Sequence, residues 1–584
     1  MELVVDRDVD VPMRDGTILR ADVYRPAGDG RHPVLLQRCA YNKGAIQPPP
    51  VTPVGPGLLD PIRAASNGYA VVIQDERGRY ESEGDFRVFL DSGDDGYDSV
   101  EWAAAQPWAN GRVGLYGISY VGAVQWLAAV KAPPHLVCIF PGMTASSFFR
   151  NWTYRSGVLE LAFCKSWALT FLSFGSVQRL PEGERAAALG RLVEGVGDMG
   201  AVFGRLPVAD FPEVAPMFPS YDDWMEHPTY DSYWRDLDTE ARYDKVTVPV
   251  HHMAGWYDVF LDGTLQNFAG MRSRGGSELA RANQRLTLGP WIHWAPPFPT
   301  RSGDVEFGAA ASIDWDSVQL RWFDYWLKGI DDGIMSEPPV RLFVMGANAW
   351  RDEHEWPLER TSWTEYFFRG AGDANTRHGD GRLALEMPPD DEASDTYVYD
   401  PWDPTPTRGG CMCCWPIDTP AGAFDQGQIE ERRDVLVFST YQLDTPIEVT
   451  GPVRVVLYAS TSARDTDFTA KLVDVHPDGF AQNLCEGIVR ARYRESTTDP
   501  TFVEPDEIME LEIDLWATSN LFKAGHRIRV EIASASFPKY ARNFNTEEDP
   551  LRATTGGLAR QRIYHDALRP SRIILPIIPV SESA

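Results

Sequence analysis

The sequence predicts an α/β domain with a helical insertion, followed by an all-β domain. Three observations carry this. Short β-rich runs alternate with helical patterns up to about residue 145 and again from about 244 to 352. The block 146–243 between them is aromatic, helix-patterned and free of strand runs. Beyond about 352 helical periodicity fades and short β-rich runs separated by turn residues take over. A chain of 584 residues also exceeds what one hydrophobic core supports. The expected boundaries are 1–145 with 244–352 for the α/β domain, 146–243 for the insertion and 353–584 for the β domain.

Taken in order, "PVLLQR" (33–38) and "YAVVIQD" (69–75) are continuous apolar runs, as in strands covered on both faces. "GDDGYDSVEWAAAQPW" (93–108) reads as a helix stopped by Pro107, and "RVGLYG" (112–117) as the next strand. The insertion holds "FFRNWTYRSGVLELAFCKSWALTFLSFG" and "PEGERAAALGRLVEGVGDMGAVFGRL", an interruption in the position of a cap. The sheet pattern resumes with "VTVPVHHMAG" (246–255) and "QRLTLGPW" (284–291). A helix, "DSVQLRWFDYWLKG" (316–329), ends at Gly329, and the strand "PVRLFVMG" follows. The runs "GPVRVVLYAS", "DFTAKLVDV", "EGIVRARYRE", "IMELEIDLW" and "HRIRVEIAS" then predict a β-sandwich or jelly roll.

Composition narrows the partners. The chain is 43% hydrophobic and 24% charged, with a net charge of −29, which argues against nucleic acid and anionic membrane. The N-terminal run "MELVVDRDVDVPMRDG" lacks the pattern of a signal peptide, and the apolar stretch 157–175 is interrupted by Glu160 and Lys165. Seven cysteines without ligand spacing read as reduced thiols in a cytoplasmic protein, Cys411, Cys413 and Cys414 included. No metal or cofactor is expected. "DSGDDGYDSVEW" (91–102) is a helix start rich in acids, since Trp102 stands where a calcium loop needs its glutamate.

The chemistry begins at "GRVGLYGISYVGAVQWLAAV" (111–130), a strand that turns sharply into a helix. It is nearly the G-x-S-x-G nucleophile elbow, but the second glycine, Gly122, falls one place late after Ser119. The elbow strains its serine and brings the following helix close to the next strand, so small residues are needed two before and two or three after it. Gly117, Gly122 and Ala123 meet that need, and the late glycine is permissible. Such a nucleophile needs an acid and then a histidine further along the chain. Asp258 follows the strand "VPVHHM" in "AGWYDVF", and His293 follows "RLTL" in "GPWIH", both at strand ends where open sheets place their sites. Asp262 is a rival acid. His251 and His252 lie inside a strand pattern and are expected to pack or hydrogen-bond within the fold. Ser119, His293 and Asp258 would serve as nucleophile, general base and the acid that fixes the imidazole tautomer.

These segments resemble the cocaine-esterase-like branch of the X-Pro dipeptidyl-peptidase family. The likeness covers "VPMRDGTILRADVYRP", "GYAVVIQDERGRYESEG", "GISYVG", "AGWYDVF", "GPWIH", "WRDEHEWP", "YVYDPWDPTP", "DTDFTAKLVDVHPDG" and "ATSNLFKAGHRIRVEIASASFPKYARN", nearly the whole chain. It implies an α/β-hydrolase domain with an inserted helical cap, followed by a C-terminal jelly roll. It also implies an oxyanion hole made by the backbone N–H of Tyr120 and the hydroxyl of Tyr41, in "QRCAYNKG". No H-G-G-G stretch supplies a second backbone donor. Trp152 and Trp167 of the cap and Phe260 beside the acid would line an apolar acyl pocket. The family's jelly-roll contribution to the pocket falls near Cys413 and Cys414, which leaves the alcohol side of the substrate open.

The reading is a serine hydrolase of small to medium carboxylic esters with apolar or aromatic acyl groups, acting on a small molecule through an acyl-enzyme. An amidase or aminopeptidase using the same triad is the alternative. The resemblance implies that peptidase relatives carry an extra N-terminal domain and amino-acid ester relatives an acidic cluster for the substrate ammonium. Here the catalytic pattern is expected to begin directly, and only Asp262 offers itself for that cluster. A binding protein carrying a dead hydrolase is disfavoured by the complete triad. The sequence is compatible with a homo-oligomer and names neither natural substrate nor subunit number.

Overall fold

The structure is a computed structural model that describes residues 2–46, 59–293 and 300–579. Ten strands form the first sheet: β1 (Leu3–Pro12), β2 (Ile18–Pro26), β3 (His32–Cys39), β4 (Ala70–Asp75), β5 (Ala109–Ile118), β6 (Leu136–Gly142), β7 (Val250–Tyr257), β8 (Gln284–Ile292), β9 (Val340–Val344) and β10 (Ala349–Glu353). Their order is β1-β2-β4-β3-β5-β6-β7-β8-β9-β10. From β4 to β9 neighbouring strands run parallel, and antiparallel pairs close both edges. β3 and β4 are buried over all but the first residue of β3, which is why they read as continuous apolar runs.

Connections fix where a site can form. β4 lies on one side of β3 and β5 on the other, so the chain reverses direction of travel across the sheet at the β3/β5 pair. Outside the carboxyl ends of such a pair the crossing connections leave a crevice. The loop holding Tyr41 leaves β3, and the turn holding Ser119 leaves β5.

Between β4 and β5 runs α1 (Ser92–Ala104), with Asp94 and Asp95 in its first turn, as the acid-rich helix start predicts. The helix after β5 is α2 (Tyr120–Val130), buried at every position because it lies between sheet and insertion. The insertion carries α3 (Leu161–Trp167) and α4 (Glu182–Gly197). It also holds a short hairpin, Tyr154–Arg155 against Val158–Leu159, that the sequence reading lacks because two residues per strand leave no periodicity. Its inner aromatic face packs with Tyr120 of α2 and Phe260 in one buried cluster. After β7 comes α5 (Leu261–Arg274). The predicted 316–329 helix spans Trp315–Phe323, loosens into a wider turn and ends at the left-handed Gly329.

Residues 362–578 build an eleven-stranded all-β sheet whose longest strands, Ile447–Thr461 and Met509–Phe522, pair antiparallel. Its core is continuous with the first sheet: Trp256 and Tyr257 of β7 cluster with Leu457, Ile513 and Val530. The Tyr257 hydroxyl donates to the Asn483 carbonyl at 3.0 Å. The strand that presents Asp258 is thus held from behind by the β domain.

One expectation from the cysteines fails. Cys413 and Cys414 are joined as a disulfide between neighbours, while Cys39, Cys138, Cys164, Cys411 and Cys485 are free and buried. Sequence adjacency put the two sulfurs within reach, and Cys414 takes a left-handed φ of 75°. No helix among the described residues is long and apolar enough to cross a membrane.

Candidate active site

The turn after β5 explains its own sequence. Ser119 is held at φ 60°, ψ −130°, a conformation that L-residues adopt only under constraint. Its N–H donates to the carbonyls of Gly142 and Met143 at 3.0 and 3.2 Å. Gly117 sits at φ 128°, and a Cβ there would lie 2.2 Å from Val121 Cγ1. A Cβ on Gly122 would lie 2.7 Å from the Gly142 carbonyl oxygen. The close approach of helix to strand therefore falls at Gly122, one residue later than the usual motif, and Val121 fills the space over Gly117. Gln125 ties the turn together: its Nε2 donates to the Gly117 and Val121 carbonyls at 3.0 Å each, and its Oε1 accepts from Phe140 N at 3.1 Å. Sequence reasoning missed Gln125, although a polar residue inside so apolar a helix was a signal.

Ser119, His293 and Asp258 come together at the carboxyl ends of β5, β8 and β7. His293 Nε2 is 3.0 Å from Ser119 Oγ, and its Nδ1 is 2.8 Å from Asp258 Oδ1. With the carboxylate accepting, Nδ1 carries the proton and Nε2 is free to accept from the serine. Asp258 is fully buried, and the same oxygen accepts the Phe260 N–H at 2.8 Å, which fixes the carboxylate. The rival, Asp262, lies in the first turn of α5 and faces the insertion, where Arg155 and Asn151 donate to it at 3.0 and 3.2 Å. His251 and His252 are buried within β7, bonded to Thr287 and Gln284, as the strand pattern predicts.

Tyr41 lies on the loop that leaves β3, its ring edge-on to that of Tyr120 at 6.0 Å. Burial raises its pKa well above the ordinary phenol value, against the opposing Trp167 bond, so the hydroxyl keeps its proton at neutral pH. Tyr120 is the first residue of α2, where a backbone N–H has no intrahelical acceptor and the helix dipole is positive. Its ring stacks on Phe89 at 5.1 Å and meets Trp167 at 6.2 Å, and its hydroxyl donates to Glu76 at 3.2 Å, anchoring the helix start. Sequence reasoning also missed Arg79, buried with no carboxylate partner among the described residues, whose Nε donates to the Ala40 carbonyl at 2.8 Å and whose other nitrogens reach Ser176 and Leu172 of the insertion. It clamps the Tyr41 loop, and its place in "DERGRY", just past β4, was the available cue.

The three aromatics of the expected pocket are buried in one stack. Phe260 lies edge-on to His293 at 5.1 Å and face to face with Trp152 at 4.3 Å, and Trp152 meets Trp167 edge-on at 5.2 Å. Cys413 packs in the same cluster. The metal-capable group found among the described residues, Asp474, His476 and His526, lies in the β domain. There Asp474 already accepts from His526 Nδ1 at 2.7 Å and from Asn520 at 3.0 Å.

Residues 15–295 match the family model of the X-Pro dipeptidyl-peptidase (S15 family), and residues 332–574 that of the X-Pro dipeptidyl-peptidase C-terminal non-catalytic domain. Cocaine esterase of Rhodococcus sp. (strain MB1 Bresler) is 40% identical, covering 98% of this chain and 98% of its own. Among solved structures, an aminopeptidase from the marine sediment archaeon Thaumarchaeota archaeon superposes with a TM-score of 0.80 at 25% identity, covering 99% of this chain and 97% of that one. An α-amino acid ester hydrolase gives a TM-score of 0.78 at 23% identity, with 98% and 96% covered.

Proposed function

The chain belongs to the X-Pro dipeptidyl-peptidase (S15) family, and from that premise we propose that it is a serine esterase. It cleaves carboxylic esters with small to medium, apolar or aromatic acyl groups through an acyl-enzyme. The observation that carries the reading is the relay Ser119–His293–Asp258, spaced at 3.0 and 2.8 Å on a strained turn. Ser119 Oγ attacks the acyl carbon while its proton passes to His293 Nε2, and Asp258 stabilises the imidazolium. The tetrahedral oxyanion accepts hydrogen bonds from the Tyr120 N–H and the Tyr41 hydroxyl. Collapse expels the alcohol, which takes the proton from His293, and water repeats the sequence to release the acid.

The aromatic stack beside His293 and Tyr41 supports an apolar acyl group, and the 40% identity to a cocaine esterase supports ester chemistry. An aminopeptidase reading has the archaeal structure in its favour. It would need a carboxylate for the substrate ammonium, and Asp262 is engaged by Arg155, which favours the ester. Rates over a panel of p-nitrophenyl esters, matched anilides and Xaa-Pro anilides test the proposal. Esters of butyrate and benzoate should exceed every anilide by orders of magnitude. An Xaa-Pro anilide as the best substrate would overturn the proposal.

A further inference from the structure

Trp167, expected only to line the acyl pocket, does something more specific. Its indole Nε1 donates to the Tyr41 hydroxyl oxygen at 2.8 Å, across 126 residues of sequence. An indole N–H can only donate, so the direction of this bond is unambiguous. The neighbouring tryptophan is different: the buried Trp152 Nε1 has no hydrogen-bond partner among the described residues. The two are therefore not interchangeable parts of one apolar wall.

A phenol oxygen carries one proton and accepts up to two hydrogen bonds. With one lobe occupied by an N–H that accepts nothing, the Tyr41 proton cannot point toward Trp167. It is left to donate elsewhere, and in the mechanism proposed above its acceptor is the oxyanion formed on attack by Ser119. Accepting one hydrogen bond also polarises the phenolic O–H and strengthens the bond it donates. The donor is rigid: Trp167 ends α3, is 2% exposed and lies parallel to Phe163 at 5.7 Å and to Trp224 at 6.2 Å. We propose that Trp167 is a positioning residue that aims the Tyr41 hydroxyl, so that the helical insertion completes the oxyanion hole. This inference rests on the reading of Tyr41 as an oxyanion donor.

A double-mutant cycle on p-nitrophenyl acetate tests it, the acetyl group being small enough to need little of the aromatic wall. Tyr41→Phe should lower kcat by roughly 10²–10³. Trp167→Phe should lower kcat about tenfold with KM within about twofold, the size of one positioning hydrogen bond. In the Tyr41→Phe background, Trp167→Phe should be nearly silent, because nothing remains to aim. If Tyr41→Phe leaves kcat unchanged, the oxyanion reading falls and the positioning role with it. If Tyr41→Phe is damaged but Trp167→Phe costs the same in both backgrounds, or acts through KM, the positioning role alone is wrong. Should Trp167→Phe unfold the insertion, 3-benzothienylalanine at position 167 keeps the ring shape and removes only the N–H. It should reproduce the loss in kcat, and wild-type kcat there would overturn the proposal.

Discussion

Replacing Gly122 by alanine sets two physical effects against each other, and the structure says which wins. By helix propensity alone, alanine in the first turns of α2 should stabilise by about 1 kcal/mol. The structure places the new Cβ 2.7 Å from the Gly142 carbonyl oxygen and 3.1 Å from Thr144 Cβ. An ordinary carbon–oxygen contact is about 3.3 Å or longer, so helix and strand end must part by roughly 0.6 Å. The carbonyl that is pushed is also the acceptor of the Ser119 N–H, so the displacement passes directly to the proposed nucleophile. Overpacking of this kind costs ~1–3 kcal/mol, and a misplacement approaching 1 Å costs up to ~10²-fold in rate. Gly122→Ala should therefore lower both the melting temperature and kcat on p-nitrophenyl butyrate, the latter by about 10–10²-fold. Gly190→Ala in α4, where a Cβ meets nothing within 4 Å, is the control and should be neutral or mildly stabilising. A Gly122→Ala enzyme with kcat within threefold of wild type and an unchanged melting temperature would refute the close-approach explanation of the shifted glycine.

The remaining predictions concern the acid, a buried lysine and metals. Asp258→Asn should lower kcat on the order of 10⁴-fold by releasing the wrong His293 tautomer. Asp262→Asn should act mainly on thermal stability, by leaving Arg155 buried with a weakened partner, and the reverse ranking in kcat would make Asp262 the triad acid. Lys165, buried in the insertion, donates to the Val202 carbonyl at 3.2 Å and lies over the Phe211 ring at 5.1 Å, and burial lowers its pKa to about 7. Because the folded pKa lies below the unfolded one, the unfolded chain holds a proton that the folded chain has lost between about pH 7 and the ordinary lysine range, so stability rises with pH across that window. Lys165→Met should raise the melting temperature at pH 7 and lose that advantage toward pH 10, whereas a pH-independent shift would contradict the assignment. Dialysis against EDTA should leave ester turnover unchanged, measured before and after adding back zinc or calcium.

Much of this was legible because it is local. β3 and β4 are covered on both faces and so read as apolar runs, and strained turns demand small residues at fixed offsets, which is why Gly117 and Gly122 mark Ser119 in the sequence. Asp258 and His293 followed from strand ends and chain order. What stayed hidden depends on packing between distant segments. Nothing in "FCKSWAL" says that the Trp167 N–H will meet a phenol 126 residues upstream. Asp258 and Asp262 stand four residues apart in one loop-to-helix turn, and packing separates them: His293 meets Asp258, while Arg155 and Asn151 of the insertion hold Asp262. Arg79 and Gln125 bond mainly to backbone carbonyls, which leave no trace in composition. The Cys413–Cys414 bond is missed when the cysteines are read by number and metal-ligand spacing and not by adjacency.

The central claim is that Ser119 is the nucleophile of a serine esterase. The most direct test is peptide mapping by mass spectrometry after reaction with a fluorophosphonate, on wild type and Ser119→Ala. A single adduct on Ser119, absent from the variant together with ester turnover, is the predicted result. An adduct on another serine, with Ser119→Ala still hydrolysing p-nitrophenyl esters, would contradict the account.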